Sequence, residues 1–402
     1  MKNVKFINKY FVIILLLFAI SMQMHAIMPT SNDNRIHDPE NTLSFIFNDL
    51  RGLELKQSTL VIPILHIGDS HLQSGILTER IRIRLQQKFG NAGRGLIVPI
   101  RLSGSNQPLD YSIRSSSKWI GGRCTQSKKN YPYGISGFAV KPLTKSYSLD
   151  LEVHNSQSDI KYDFRKIMVL HSGEGKLNAN THNLLATDSL SPDAYYLKLK
   201  EKVMSITLTG TSISETSQGF FHGFSLENDS AGILYHTVGV NGATYQNYCG
   251  LPLFIAQSTV LQPRLIIISL GTNEAFGRTF NAKDLYSAMD KLIGGLRKAN
   301  PLAVFLLTTP AEDFKKVRKR HRSSSASNPK IGVVAQAIVT YATQHKIAYW
   351  NLFAVTGGTG SAKQWASNQM MGRDKIHFNE SGYQLQGELF VDAFLKLYNE
   401  HR

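Results

Sequence analysis

Ile64-Leu65-His66-Ile67-Gly68-Asp69-Ser70-His71-Leu72-Gln73-Ser74-Gly75 is the stretch from which the rest of the chain is read. An apolar run, Val61 to Ile67, stops at Gly68-Asp69-Ser70, and Leu77, Ile81, Leu85 and Phe89 then recur every fourth position. Side chains four apart share a helix face, so the spacing predicts a buried strand followed by a helix that packs back on it. Ser70 falls where strand becomes helix, the edge at which open α/β sheets place their chemistry. The tripeptide alone is also a plain helix start, with Asp69 or Ser70 as N-cap. Its weight therefore depends on the other segments.

From Ala231 onward strand and helix alternate. Gly232 to Val240 reads as a strand and Leu251 to Leu261 as a helix; Leu265 to Leu270 is a fully buried strand ending at Gly271-Thr272-Asn273. A helix carrying Leu285, Met289, Leu292, Ile293 and Leu296 follows, then a strand at Ala303 to Leu307, a helix at Ile331 to Gln344, a strand at Ile347 to Leu352, and a last helix from Glu380 to Tyr398. This rhythm predicts an α/β fold with a parallel sheet between helices. Thr42 to Leu55 reads as a short helix beneath it. Asn91 to Gly95 is a tight connection rather than a phosphate loop, because no Gly-Lys-Ser/Thr follows.

Between Ser103 and Ser230 the texture differs. Tyr147 to Val153, Lys166 to Leu170, Tyr195 to Leu199 and Val203 to Leu208 are short, β-branched or aromatic runs separated by polar turns. Such runs predict antiparallel strands, here an inserted β-sandwich. The expected organisation is a leader over 1–26, a first part of the α/β fold over 42–102, the insert over 103–230, and the second part of the α/β fold over 231–402.

At 402 residues with 42% hydrophobic content, the chain can bury more than one domain's core. Lys2, Lys5 and Lys9 precede the apolar run Phe11 to Met22 and Met-His-Ala at 24–26. Twelve apolar residues are too few for a bilayer span of ~20 but suit a secretory signal, which implies a periplasmic or secreted protein without an integral span once the signal is cleaved. Retention as an anchor is the alternative. Cleavage after Ala26 removes three Lys and no acid, taking the formal charge from +16 to +13. A basic protein outside the cytoplasm favours polyanionic surroundings such as wall polymers, and nucleic acid is not expected as a partner. Cys124 and Cys249 are open between one disulfide and two free thiols. No metal-ligand spacing appears among the Cys and His residues.

In a parallel sheet all strands end on the same edge. There the sequence offers Ser70, Gly242, Asn273 and Asp374-Lys375-Ile376-His377. A serine hydroxyl needs a base to take its proton, and His377 is the candidate. Asp374, three residues earlier, can hold the imidazole tautomer and stabilise the imidazolium. The Ser70 and Gly242 backbone N–H groups and the Asn273 amide can serve one oxyanion. Each has a plainer reading: Asp374 and His377 as helix caps beside Asn379, Gly242 as a turn residue, Asn273 as a loop-bonding group.

Taken together, Gly68-Asp69-Ser70, Gly242, Gly271-Thr272-Asn273 and Asp374-x-x-His377 resemble the four blocks of the SGNH, or GDSL-type, hydrolases. The strings GDSHLQSG (68–75), FGNAGRG (89–95), GVNGA (239–243), LGTNE (270–274), GGTGS (357–361) with Trp365, and DKIHFNESGY (374–383) are similar to bacterial esterases that remove O-acetyl groups from peptidoglycan and carry a carbohydrate-binding-like insert. The resemblance implies a three-layer, flavodoxin-like sheet, no metal or organic cofactor, Ser70 as nucleophile, His377 as base, Asp374 as its orienter, and Ser70, Gly242 and Asn273 as the oxyanion hole. Glu274 departs from the Asp that many members carry after the third-block Asn. The expected function is a secreted carbohydrate esterase acting on an O-acetylated glycan, peptidoglycan first. An O-acetyltransferase using the same serine, an esterase of acetylated plant polysaccharide and a non-catalytic glycan-binding protein are the rivals.

Three further expectations concern single features. His71 is a poor base for its neighbour Ser70 and reads as a structural or substrate-facing group. The basic run Lys315, Lys316, Arg318, Lys319, Arg320, Arg322 reads as a solvated mobile loop, or as a rim that attracts an anionic polymer. Gly357 to Gly360 with Trp365 reads equally as a sugar-stacking wall or as a loop packed by one aromatic.

Overall fold

The computed structural model describes residues 34–401 other than 129, 155–157, 180–181, 213–218 and 320–321. The leader expected over 1–26 lies outside the described residues. Among those residues no helix is long and apolar enough to cross a membrane.

Strand Val61–Gly68 lies inside a six-stranded sheet and alternates its side chains between two cores. Ile62 and Ile64 enter one cluster, Leu65 and Ile67 the other, and all four are at most 1% exposed. The sheet order is Ile36–His37, Ala348–Trp350, Val304–Thr308, Leu265–Ser269, Val61–Gly68, Gly232–Gly239; the last five are parallel and the two-residue edge strand is antiparallel. Numbered along the chain, the five parallel strands run 2-1-3-4-5, the flavodoxin-like order. Helices Ser44–Glu54, Ile76–Phe89 and Glu380–Glu400 cover one face through Ile46, Ile81, Leu85, Phe390 and Phe394. Helices Ala282–Ala299 and Pro329–Gln344 cover the other through Leu285, Met289, Val334 and Ile338.

Residues 95–227 add a seven-stranded and a four-stranded sheet, both antiparallel. Between them lies a third cluster that includes Tyr111, Leu149, Leu151, Phe164, Val169, Leu197 and Phe224. Met168, Leu170, Ile135 and Phe138 join the core of the parallel sheet instead, so this region shares a hydrophobic core with it. Strand Gly95–Ile97 pairs with Phe220–Glu227 and so lies in the antiparallel region, before residue 103. The run Val203–Leu208 is not one strand. The chain breaks at Met204, ending Ala194–Val203 in the seven-stranded sheet and starting Ser205–Thr211 in the four-stranded one.

One local expectation is corrected, and one pair of alternatives, that at Trp365, is decided in favour of the packed loop. The basic run is not a loop but the hairpin Phe314–Lys319 with Arg322–Ser327, because residues 314–319 pair in register with 322–327. Trp365 is 1% exposed, and its Nε1–H donates to the Thr356 carbonyl at 3.0 Å; it packs against Phe378 in the core and offers no face to a sugar. Cys124 and Cys249 are both free thiols.

Candidate active site

The Gly-Asp-Ser turn is shaped by steric room. A Cβ on Gly68 would stand 2.6 Å from Leu72 and 2.8 Å from the Ser269 carbonyl, so only glycine lets the strand end this close to its neighbours. Asp69 then caps the short helix Ser70–Gln73, its carboxylate accepting the His71 N–H at 3.0 Å. Capping thus falls to Asp69, and the Ser70 hydroxyl is left for another partner.

That partner is His377, whose Nε2 lies 2.7 Å from Ser70 Oγ. Its Nδ1 lies 2.6 Å from Asp374 Oδ2. Asp374 Oδ1 accepts the N–H groups of Ile376 and His377, both at 3.0 Å, closing the turn that brings a carboxylate and an imidazole three residues apart face to face. Lys375 takes a left-handed φ of 59° inside this turn. The helix that follows is capped by Asn379, which accepts the Gly382 N–H at 3.0 Å. The capping role weighed for Asp374 and His377 is therefore filled elsewhere. Burial alone would raise the Asp374 carboxyl, but the bonds it accepts from the His377 ring and the two backbone N–H groups outweigh it and hold it below the ordinary value.

Ser70, Gly242, Asn273 and His377 line one open cleft of about 600 Å³, with Asn106, Asn241, Phe276 and Tyr383 on its walls. Gly242 has a φ of 82°, and a Cβ there would meet nothing within 4 Å. Asn273 Nδ2 donates to Ala243 O at 3.0 Å and to Asp69 Oδ2 at 3.2 Å, which uses both amide hydrogens. Donation from this amide to a substrate requires release of one of them, and the longer bond to Asp69 is the weaker. Burial pushes the Asp69 carboxyl up to about 7, against the bond from His71 N–H and the nearby His377.

His71 does not face Ser70: its Nδ1 bonds the Tyr383 hydroxyl at 3.0 Å. Desolvation, aided by His377, pulls its ring down to about 3, so it stays neutral. Glu274 reaches across to the Tyr245 N–H at 2.9 Å and ties two strand-end loops together, while burial pushes its carboxyl up to about 7.

Three site residues carried no signal in the sequence. Gln73, 2% exposed, accepts the Asn241 N–H at 2.7 Å and donates to the Asn106 carbonyl at 2.7 Å and to Ser105 Oγ at 3.0 Å. Asn241 Nδ2 donates to Asn106 Oδ1 at 2.9 Å. These amides fasten the loop carrying Gly242 to the start of the antiparallel region. The partners lie 33 and 168 positions from Gln73 in the chain, so no local pattern announces them.

A buried parallel sheet thus delivers an alcohol, an imidazole and a carboxylate in one hydrogen-bonded line to a cleft rimmed by further donors. Such a line can transfer a proton from the alcohol as it attacks an acyl carbon. The family model for the GDSL-like lipase/acylhydrolase family matches residues 208–385, which include Gly242, Asn273, Asp374 and His377 and leave out Ser70. A solved peptidoglycan O-acetylesterase superposes with a TM-score of 0.69 at 19% identity, covering 89% of this chain and 96% of that one. A lipase/acylhydrolase from Enterococcus faecalis (18% identity, 42% of this chain and 77% of that one, TM-score 0.31) and a carbohydrate esterase family 3 protein from Talaromyces cellulolyticus (18%, 41% and 72%, 0.31) match over the smaller part only. No curated protein sequence matches the chain. The chain has the fold of the SGNH hydrolases, and residues 208–385 of it match the GDSL-like lipase/acylhydrolase family.

Proposed function

We propose that the protein removes O-acetyl groups from a cell-wall glycan, peptidoglycan first, through an acyl-enzyme on Ser70, and that it works outside the cytoplasm. The observation that carries this reading is the Ser70–His377–Asp374 relay, with bonds of 2.7 and 2.6 Å, opening on the cleft. Ser70 Oγ attacks the acetyl carbonyl carbon while His377 Nε2 takes its proton, and Asp374 stabilises the imidazolium. The oxyanion is held by the Ser70 and Gly242 N–H groups and by the Asn273 amide turned from Asp69. His377 returns the proton to the sugar oxygen as that bond breaks. Water, deprotonated by the same ring, then releases acetate and restores the serine. Residues 103–230 form, in this reading, an inserted β-sandwich that supplies one wall of the cleft through Asn106.

The preference for peptidoglycan rests on the likeness to the peptidoglycan O-acetylesterase along 89% of the chain. The basic charge and the leader over 1–26 agree with a wall substrate. Acetate release measured on O-acetylated peptidoglycan and on acetylated plant xylan side by side tests the reading. Faster release from peptidoglycan is expected. Faster release from xylan would overturn the glycan assignment, and none from either would overturn the esterase reading of these substrates.

A further inference from the structure

Gln73, Asn106 and Asn241 tie the antiparallel region to the loop of Gly242, and the bonds among these amides fix which atom of each is left over. Gln73 Oε1 accepts the Asn241 backbone N–H at 2.7 Å, a group that can only donate, so the Gln73 amide has one orientation. Its Nε2 therefore faces Asn106 and donates to the backbone carbonyl at 2.7 Å and to Oδ1 at 3.1 Å. Asn106 Oδ1 also accepts Asn241 Nδ2 at 2.9 Å. Reversing the Asn106 amide would set its hydrogens against two donors, so the network assigns Oδ1 to the clamp and leaves Nδ2 outside it.

Asn241 is left with the opposite group. Its Nδ2 donates to Asn106 and approaches Ser105 Oγ at 3.5 Å, which leaves Oδ1 as its remaining atom. Neither Asn106 Nδ2 nor Asn241 Oδ1 has a partner among the described residues. Both residues line the cleft with Ser70 and Gly242. A donor and an acceptor thus stand on one wall, already ordered by the clamp, so binding through them costs little further side-chain entropy.

The rest of the cleft narrows what they can take. Among the described residues that line it there is no Lys or Arg, and Glu380 contributes an exposed carboxylate. A substrate carboxylate would meet no countercharge there, which favours a neutral polar group. Asn106 Nδ2 can only donate and suits a carbonyl oxygen; Asn241 Oδ1 can only accept and suits an N–H or a hydroxyl. An acylamino substituent on a sugar brings the first and, with the hydroxyl beside it, the second.

We propose that Asn106 and Asn241 are specificity residues that bond an acetamido group on the sugar whose ester enters the cleft, Asn106 Nδ2 donating to the amide carbonyl and Asn241 Oδ1 accepting from the amide N–H or the neighbouring hydroxyl. The proposal rests on the esterase reading and narrows its substrates to acetamido sugars. Asn106 follows strand Gly95–Ile97 of the antiparallel region, whereas Ser70 ends a strand of the parallel sheet, so the two regions divide substrate choice from acyl transfer.

The test uses the full-length protein and two esters that differ at one substituent: methyl N-acetylglucosaminide and methyl glucoside, each acetylated on its primary hydroxyl. In the wild type kcat/KM is expected to be about tenfold higher on the acetamido ester, as for one or two hydrogen bonds made at a solvent-open site. In Asn106→Asp the side chain still accepts from Gln73 and Asn241 but has lost its donor, and the ratio of the two kcat/KM values should fall to about one. A ratio taken within each protein cancels any general loss of acyl transfer from a disturbed clamp. A wild-type ratio near one, a ratio favouring the glucoside, or a preference that persists in the variant overturns the proposal and leaves the esterase reading standing. If neither ester is cleaved, saturation-transfer NMR with the two unacetylated glycosides decides. Binding of the acetamido sugar alone, lost in the variant, would keep the pair and defeat the esterase reading; equal binding of both sugars, or of neither, would defeat the pair.

Discussion

Asp374 holds His377 twice, once through the ring Nδ1 at 2.6 Å and once through the backbone N–H at 3.0 Å. One carboxylate therefore sets both the position of the residue and the orientation of its imidazole. Asp374→Asn can still accept the backbone bond through its amide oxygen, but it loses the charge that stabilises an imidazolium. We expect kcat for p-nitrophenyl acetate to fall about 10³- to 10⁴-fold. The side chain is 48% exposed, so the melting temperature should move by no more than about 2 °C. Stopped-flow kinetics with thermal unfolding checks both halves, and a loss of activity explained by unfolding would contradict the assignment.

Gln73 should behave as a positioning residue. Its buried amide fixes the N–H of Asn241, one residue before the proposed oxyanion donor Gly242. Gln73→Ala leaves buried partners unbonded, at a cost of about 1–3 kcal/mol. It should also lower kcat about tenfold or more with a smaller change in KM, because the displaced donor serves the transition state. Gln73→Glu keeps the acceptor for Asn241 N–H and should recover part of kcat. Loss of stability alone, with kcat intact, would reduce Gln73 to a packing role.

The glycines at two strand ends should respond differently. Gly68→Ala meets the Ser269 carbonyl at 2.8 Å within packed structure and is expected to destabilise by several kcal/mol. Gly242→Ala meets nothing within 4 Å and bears only the left-handed backbone, about 1 kcal/mol. Urea unfolding of the two variants should rank them in that order.

The strand ends were legible because a fully buried parallel strand is a continuous apolar run and stops abruptly where polar chemistry begins. Leu265 to Leu270 followed by Gly271-Thr272-Asn273 is such a boundary, as is Ile67 followed by Gly68-Asp69-Ser70. Features that depend on distant partners were not legible. The clamp of Gln73, Asn106 and Asn241 joins the end of a short helix to two loops distant in sequence, and amides look alike wherever they point. Trp365 was left open between a sugar-facing and a packing aromatic because its loop is rich in glycine, and it is tertiary packing against Phe378 that buries it. The hairpin at 314–327 has Phe314 and Val317 as its only large apolar residues, so charge concealed the pairing.

Asp313 gives a pH signature distinct from the active site. It is 1% exposed, and burial pushes its carboxyl up to about 8, against the opposing pull of the neighbouring Asn328 side-chain amide. An unfolded Asp titrates near about 4. Between these values the folded state keeps the proton and the unfolded state does not, so this group's contribution to stability declines as pH rises from about 4 to about 8. Asp313→Asn removes that decline. Its melting temperature should lie near the wild-type value at pH 5 and several degrees above it at pH 9, and a variant less stable than wild type at pH 9 would contradict the burial argument.

The central claim is that Ser70 carries the acyl group. Rapid acid quench during hydrolysis of p-nitrophenyl acetate, followed by peptide mass spectrometry, reads it directly. One acetyl adduct is predicted on the peptide containing Ser70 in the wild type, with neither adduct nor turnover in a folded Ser70→Ala variant. Turnover that persists in that variant, or an adduct on another residue, would contradict the account.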